Sequence, residues 1–331
     1  MYDTYLYIVV LALGIYFLVK SGTYIVRSLG VMARYLGVSD FVIAFLLMAF
    51  ATSIPELAVG INAAFSNSPE IVLGNILGTN IVNLSLIMGL VAVIALKVSV
   101  DDHDHFLKRR FFNFTLIMSP LFLMLDGSLG RLDGLILLVL FSWNTARLFN
   151  VKETLQKRNG VSDLNTPEAE KDKKSVSLRE FFKNFFMFSV SNFVILAAAY
   201  AVVWAAENIS IDMGIPAALI GIFVIGIGTS LPELVFGISS ASSGKGDMSL
   251  GNLLGSAVIN ATLILGITVL IKPITIEGGI FWISGIFLAA TMLAGFYFLR
   301  TKDFLNRKEG IALVFLYILF IFVELGHNLW F

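Results

Sequence analysis

Two glutamates set in apolar surroundings carry the chemistry that this sequence can do. Glu56 ends the run Thr52-Ser53-Ile54-Pro55-Glu56, and Glu233 ends the run Thr229-Ser230-Leu231-Pro232-Glu233. Each is followed by a second run. One reads Gly74-Asn75-Ile76-Leu77-Gly78-Thr79-Asn80-Ile81-Val82-Asn83, the other Gly251-Asn252-Leu253-Leu254-Gly255-Ser256-Ala257-Val258-Ile259-Asn260. A constant offset of 177 residues relates the copies, and 18 of 38 positions are identical between 52–89 and 229–266. Pro55 lacks an N–H and crowds the carbonyl four residues back. The carbonyl of Ala51 thus loses its helical partner and that of Thr52 is loosened. Pro232 does the same to Gly228 and Thr229. In hydrocarbon a freed carbonyl must be satisfied nearby. An ionisable side chain there costs about 2.5–3.5 kcal/mol on insertion scales and is usually functional. Carbonyls and carboxylates converging from two copies make a cation site. A proline kink that serves packing alone does not explain an acid accepted twice at matching positions.

The ligand types narrow the ion. Neither motif contains Cys or His, which argues against zinc and copper. Two bidentate carboxylates with the carbonyls of Thr52 and Thr229 offer about six oxygens, within the range that Ca²⁺ takes. The hydroxyls of Ser53, Ser230, Thr79 and Ser256, with the amides of Asn83 and Asn260, can complete neighbouring sites for Na⁺. These residues need two kinds of element. Each Thr-Ser-x-Pro-Glu run reads as a broken helix. Each Gly-Asn run reads as a helix whose small-xxx-small face, Gly74/Gly78 or Gly251/Gly255, allows close approach to the breaks. The glycines read as packing. Asn75 and Asn252 read as supports that bond between helices or to the unwound backbone.

The 331 residues are 57% hydrophobic and 14% charged, with mean hydropathy +0.87, too apolar for a soluble domain of this size. The chain reads as an all-α membrane protein with ten transmembrane helices. The expected spans are 4–20 (with a break at Gly22 and a continuation to 37), 39–66, 70–97, 108–125, 131–149, 180–206, 214–243, 247–271, 277–299 and 309–327. The polar stretch around Lys171-Asp172-Lys173-Lys174 divides a first repeat (1–150) from a second (178–331), with 151–177 as a cytoplasmic linker. If the N-terminus lies outside, 21 of the 23 Lys and Arg fall inside, and only Arg131 and Lys272 fall outside. That sorting supports the span count and a topology with both termini outside. The two broken helices are five crossings apart, so they run in opposite directions. The halves are therefore expected to be inverted five-helix repeats whose broken helices meet at the midplane. There is no Cys, hence no disulfide. The start Met1-Tyr2-Asp3-Thr4 lacks the basic region of a signal peptide, so the first helix is expected to stay. No basic patch lies outside the membrane-flanking loops, so a nucleic-acid partner has no support and none is expected.

The paired Thr-Ser-x-Pro-Glu and Gly-Asn-x-x-Gly runs resemble the two alpha-repeats of the sodium/calcium exchanger family, in the cation/calcium antiporter superfamily. The resemblance implies a central calcium site flanked by sodium sites. It implies ligands at Ala49, Thr52, Ser53, Glu56, Thr79 and Asn83, and at Gly226, Thr229, Ser230, Glu233, Ser256 and Asn260. It also implies that the first and sixth helices slide over the other eight. Two departures stand out. Ala51 faces Gly228 in the repeat, and Asn260 replaces an Asp found in several prokaryotic and potassium-dependent members. The third carboxylate is thus missing, which implies exchange without K⁺. The linker is too short for the calcium-sensing domains of animal exchangers.

The leading reading is a Na⁺/Ca²⁺ antiporter of the plasma membrane that is electrogenic if three Na⁺ replace one Ca²⁺. Ca²⁺/H⁺ exchange is the alternative, since paired glutamates can carry protons. A cation channel is more remote, because filters usually arise from symmetric subunits. An enzyme is weakest: no nucleophile–base pair is found. No cofactor and no protein partner is implied, only Ca²⁺ and Na⁺ as substrates and the lipid bilayer. The run Asp101-Asp102-His103-Asp104-His105 reads as a solvated loop. Phe181, Phe182, Phe185 and Phe186 read as facing lipid or neighbouring helices, and Tyr2 and Trp330 as interfacial.

Overall fold

The computed structural model describes residues 2–35, 49–95, 97–99, 103–158, 177–242, 246–275, 280–302 and 304–330. Helix α1 (Tyr2–Tyr35) is uninterrupted over 34 residues, so the break expected at Gly22 does not occur. A helical glycine costs about 1 kcal/mol relative to alanine, which packing can offset. The packing here is against both proline kinks. A Cβ on Gly22 would stand 3.3 Å from Pro55 Cγ and 3.4 Å from Pro232 Cγ.

The second expected span is described from Ala49 onward. Helix α2 (Ala49–Thr52) stops at Ser53, and α3 (Ile54–Phe65) resumes with Pro55 and Glu56 in its first turn. Helix α4 (Pro69–Ile81), a π turn at Val82–Ile87 and α5 (Met88–Ala95) make one crossing. Strand β1 (Lys97–Ser99) leads to α6 (His103–Leu123), and β2 (Ser128–Leu129) leads to α7 (Arg131–Arg158). Helix α7 thus extends into the stretch expected to be a linker, whose residues 159–176 lie outside those described.

The second half follows the same order. Helix α8 (Leu178–Met213) begins with a capping box. There the Ser177 hydroxyl accepts from the Glu180 N–H, and the Glu180 carboxylate accepts from the Ser177 N–H. Helix α9 (Ala217–Leu219), a π turn at Ile220–Ile225 and α10 (Gly226–Thr229) lead to Ser230, after which α11 (Leu231–Ser242) resumes. Helix α12 (Gly246–Ile259), a π turn at Asn260–Ile264 and α13 (Leu265–Ile271) form the next crossing. Strand β3 (Ile274–Thr275), α14 (Ile280–Lys302), β4 (Phe304–Asn306) and α15 (Arg307–Trp330) complete the chain.

Among the described residues, seven helical segments are long and apolar enough to cross a membrane. The expected spans at 39–66, 108–125 and 131–149 fall on α2–α3, which is described only from Ala49 onward, on α6 and on α7. The core lies along α4–α5, where 83% of the most apolar stretch is buried, against 33% for α1 and α8 and 28% for α15. Helices α1 and α8 pack along each other at the edge. Gly14 faces Val202, and the rings of Tyr7 and Trp204 lie 5.1 Å apart. Phe182, Phe185 and Phe186 are exposed, whereas Phe181 packs on Tyr35 at 4.8 Å. At about 50 Å, both helices exceed a hydrocarbon core of about 30 Å, so they tilt or project.

Two short antiparallel pairs join the halves. Lys97 faces Asn306 in one, and Ser128 faces Thr275 in the other. The offset of 177 carries Lys97 onto Ile274 and Ser128 onto Leu305, so it exchanges the two pairs. Strands of two or three residues leave no periodicity to read, and the sequence did not suggest them.

Candidate cation site

The residues of the two motifs converge at the centre. Ala49, Thr52, Ser53, Glu56, Thr79 and Asn83 are buried, and so are Gly226, Thr229, Ser230, Glu233, Ser256 and Asn260. Each break is confined to one serine. Ser53 has φ −87° and ψ 4°, and Ser230 has φ −80° and ψ −1°. Each glutamate then sits in the first turn of the helix that resumes, where the helix dipole favours a carboxylate. The first residues of the short helices, Ala49 of α2 and Gly226 of α10, supply main-chain carbonyls that accept from side-chain hydroxyls.

Those carbonyls anchor two matching clusters. Thr52 Oγ1 donates to the Ala49 carbonyl at 3.3 Å and lies 3.1 Å from Ser256 Oγ, which reaches the same carbonyl at 3.4 Å. In the other cluster Thr79 Oγ1 lies 3.4 Å from Thr229 Oγ1 and donates to the Gly226 carbonyl at 3.4 Å. The offset maps Thr52, Ala49 and Ser256 of the first onto Thr229, Gly226 and Thr79 of the second. Each motif threonine therefore meets a hydroxyl from the other half of the chain. Glu233 lies beside Thr52 and Ser256, and Glu56 lies beside Thr229 and Glu233.

Neither glutamate is satisfied by the protein. Both carboxylates, the Ser53 hydroxyl, both polar atoms of Asn83 and Oδ1 of Asn260 are buried without a hydrogen-bond partner. More than nine in ten buried polar groups in proteins are bonded, and each orphan costs about 1–3 kcal/mol. A bound cation would satisfy the orphaned oxygens among them. Among the described residues no group of three His, Cys, Asp or Glu forms. The donor set is thus two carboxylates with hydroxyls, amides and carbonyls, hard ligands suited to Ca²⁺ and Na⁺.

The halves differ in detail. Ser230 Oγ donates to the Gly226 carbonyl at 2.7 Å, while Ser53 Oγ bonds nothing. Asn75 Oδ1 accepts from Thr79 at 3.4 Å and from Thr229 at 3.5 Å, whereas Asn252 is buried with neither polar atom bonded. The close approach expected from Gly74 and Gly78 occurs against the other half. A Cβ on either would press into the backbone of Ala218 or Ile222.

Asn80 and Glu324 are among the buried polar residues that escaped the sequence reading. Asn80 touches both Ala257 and Asn260. It went unnoticed because its repeat mate is Ala257, so comparison of the copies hid it. Glu324 is a third fully buried carboxylate, on α15, and accepts from the Ser284 hydroxyl at 3.2 Å. An acid within the apolar run Phe320-Ile321-Phe322-Val323-Glu324-Leu325 is itself a signal. The side chains of Tyr2, Trp330 and 101–105 lie outside the described residues. A cavity of about 500 Å³ lined by Asn67, Glu70, Ser210, Lys272 and Thr275, among others, shares no residue with the site.

Known proteins resemble this chain over nearly its whole length. The family model described as sodium/calcium exchanger protein matches residues 6–149 and 183–326. The sodium/calcium exchanger MaX1 of Methanosarcina acetivorans is 32% identical, over 95% of this chain and 97% of its own. The inner membrane protein YrbG of Escherichia coli is 29% identical, over 80% and 79%. The solved structure of the sodium-calcium exchanger NCX_Mj soaked with Na⁺ and Sr²⁺ superposes with a TM-score of 0.62 at 25% identity, covering 96% of this chain and 98% of its own. An all-helical membrane fold, two matched segments and a centre of buried oxygens agree with one another: the chain belongs to the sodium/calcium exchanger protein family.

Proposed function

We propose that this protein is a secondary antiporter that exchanges Na⁺ for Ca²⁺ by alternating access, with its two halves as inverted five-helix repeats. The single observation that carries this reading is the pair of buried, unpartnered glutamates flanked by hydroxyl–carbonyl clusters that the repeat offset exchanges. Ligation is assigned to Glu56, Glu233, Thr52, Thr229, Ser53, Ser230, Thr79, Ser256, Asn83, Asn260 and the carbonyls of Ala49 and Gly226. The exchange of the β1–β4 and β3–β2 pairs under the same offset supports the inverted arrangement. The charge distribution supports a plasma-membrane protein with both termini outside and the linker 151–177 in the cytoplasm.

Two carboxylates balance one Ca²⁺. Three Na⁺ in the same space leave an excess positive charge, so exchange at that ratio moves charge. Asn260 supplies no third carboxylate, and exchange is therefore independent of K⁺. The test is uptake of radiolabelled calcium into proteoliposomes in K⁺-free buffer, driven by a Na⁺ gradient at two clamped membrane potentials. Uptake that depends on Na⁺ and on potential supports the reading. A strict need for K⁺ defeats the Asn260 argument, and indifference to potential defeats the charge count. Uptake driven by a pH gradient without Na⁺ would make the protein a Ca²⁺/H⁺ antiporter.

A further inference from the structure

One hydrogen bond spans the repeat offset itself. Asn80 Nδ2 donates to the main-chain carbonyl of Ala257, its own mate, at 3.3 Å. The axis relating the proposed inverted repeats must pass between these two residues. A main-chain carbonyl only accepts, so Asn80 turns its NH₂ to Ala257 and its oxygen the other way. That oxygen only accepts as well. The atom that reaches it from Asn260, at 3.3 Å, is therefore the Asn260 NH₂. Asn260 Oδ1 is thereby turned away from Asn80, and it is buried with no protein partner. Asn83, the mate of Asn260, has no equivalent restraint. Ala257 stands where a second asparagine would reach it, and neither polar atom of Asn83 is bonded.

We propose that Asn80 is a positioning residue that presents the Asn260 oxygen to the transported cation, while Ala257 leaves Asn83 unrestrained, so that the two amides of the site are unequal. This rests on the cation-exchange reading above. An unrestrained amide can turn its NH₂ toward the cation, which is repulsive, and must be ordered when the ion binds. A pre-oriented one avoids that cost.

The experiment uses the full chain as wild type, Asn80→Ala, and the exchange variant Asn80→Ala with Ala257→Asn. Half-saturating Ca²⁺ and Na⁺ and the maximal exchange rate are measured in proteoliposomes. The rise in melting temperature on adding Ca²⁺ or Na⁺ is measured in detergent. Asn80→Ala is expected to raise the half-saturating concentration of at least one ion by about threefold to tenfold, the worth of one hydrogen bond, with the maximal rate within about twofold. The exchange variant moves the asparagine across the axis, where its amide meets Asn83, and is expected to recover most of the loss. Unchanged half-saturation in Asn80→Ala overturns the proposal, as does a fall in maximal rate alone. An exchange variant that binds no better than Asn80→Ala also overturns it. If Asn80→Ala does not fold, the folded exchange variant decides: half-saturation within about threefold of wild type supports the proposal, and a larger shift defeats it. The melting shift reports binding even without transport. Failure of the exchange reading therefore shows as an inactive wild type, and failure of this one as Asn80→Ala binding like wild type.

Discussion

Glu56 and Glu233 are buried acids whose oxygens no protein group satisfies, and this sets what their replacement does. Removing one negative charge leaves a divalent cation half-compensated, and an uncompensated buried charge typically costs about 3–5 kcal/mol. Glu56→Gln and Glu233→Gln are each expected to abolish calcium exchange in proteoliposomes. Their elution and melting behaviour should stay near wild type, because glutamine keeps the side-chain volume. Near-normal flux in either variant would remove that residue from the site. Glu324 provides the contrast. It is equally buried, but Ser284 donates to it and it stands outside the cluster. Glu324→Gln is expected to retain exchange, and loss of Ca²⁺ flux there with normal folding would extend the site to α15. Asn260→Asp restores a third acid and is expected to make exchange more sensitive to pH. A pH profile that matches wild type would place Asn260 away from the ion.

Helices in this molecule meet where glycine removes a side chain. Gly22 of α1 lies against Pro55 and Pro232 at once, so a single position on the edge helix touches both breaks. If α1 and α8 slide over the other helices, as the family resemblance implies, Gly22 rides along the two kinks. Gly22→Ala adds one carbon at the edge of contact and is expected to cost little. Gly22→Leu is expected to slow exchange by about tenfold or more while leaving Ca²⁺-induced thermal stabilisation intact, since overpacking of about 1–3 kcal/mol acts on the motion rather than on the ligands. Equal rates in Gly22→Leu and wild type would exclude movement of α1 across the prolines. Gly74 and Gly78 are different, because the added Cβ would meet backbone. Gly74→Ala is expected to lower the melting temperature measurably, and an unchanged melting temperature would contradict the observed approach to Ala218.

At the scale of the whole molecule, the repeat and the charge sorting make one claim, and the two central acids make another. Ser66, exposed in the turn after α3, and Asn159, in the polar stretch after α7, are expected on opposite sides of the membrane. Cysteines placed there should label from opposite faces with an impermeant reagent, Ser66→Cys from outside. Labelling from one face would break the inverted-repeat reading. The second claim concerns coupling. With both glutamates ionised and no cation bound, the centre would hold two bare carboxylates, and carrying them through a closed, dehydrated state would be costly. Calcium efflux into medium lacking both Na⁺ and Ca²⁺ is expected to be far slower than efflux into either ion. Equal rates would favour a uniporter or channel.

Some of this was readable in the sequence for a plain reason. Duplication, proline, an acid in an apolar run and the sorting of Lys and Arg are properties of order along the chain. They need no knowledge of which helix faces which. On that basis the motif residues, the helical membrane fold and most span boundaries could be written down. Gly22 shows the limit. Propensity suggests a break, but whether a helical glycine breaks or packs depends on what lies opposite, and here two prolines from different halves do. The pairing of Thr52 with Ser256 and of Thr79 with Thr229 is likewise a contact between halves that periodicity can aim but not assign. The π turns at Val82 and Asn260 are a small change of helical pitch that no residue type announces. Asn80 shows the limit most clearly: it bonds Ala257 and Asn260 of the other half, and those contacts exist only once the chain has folded.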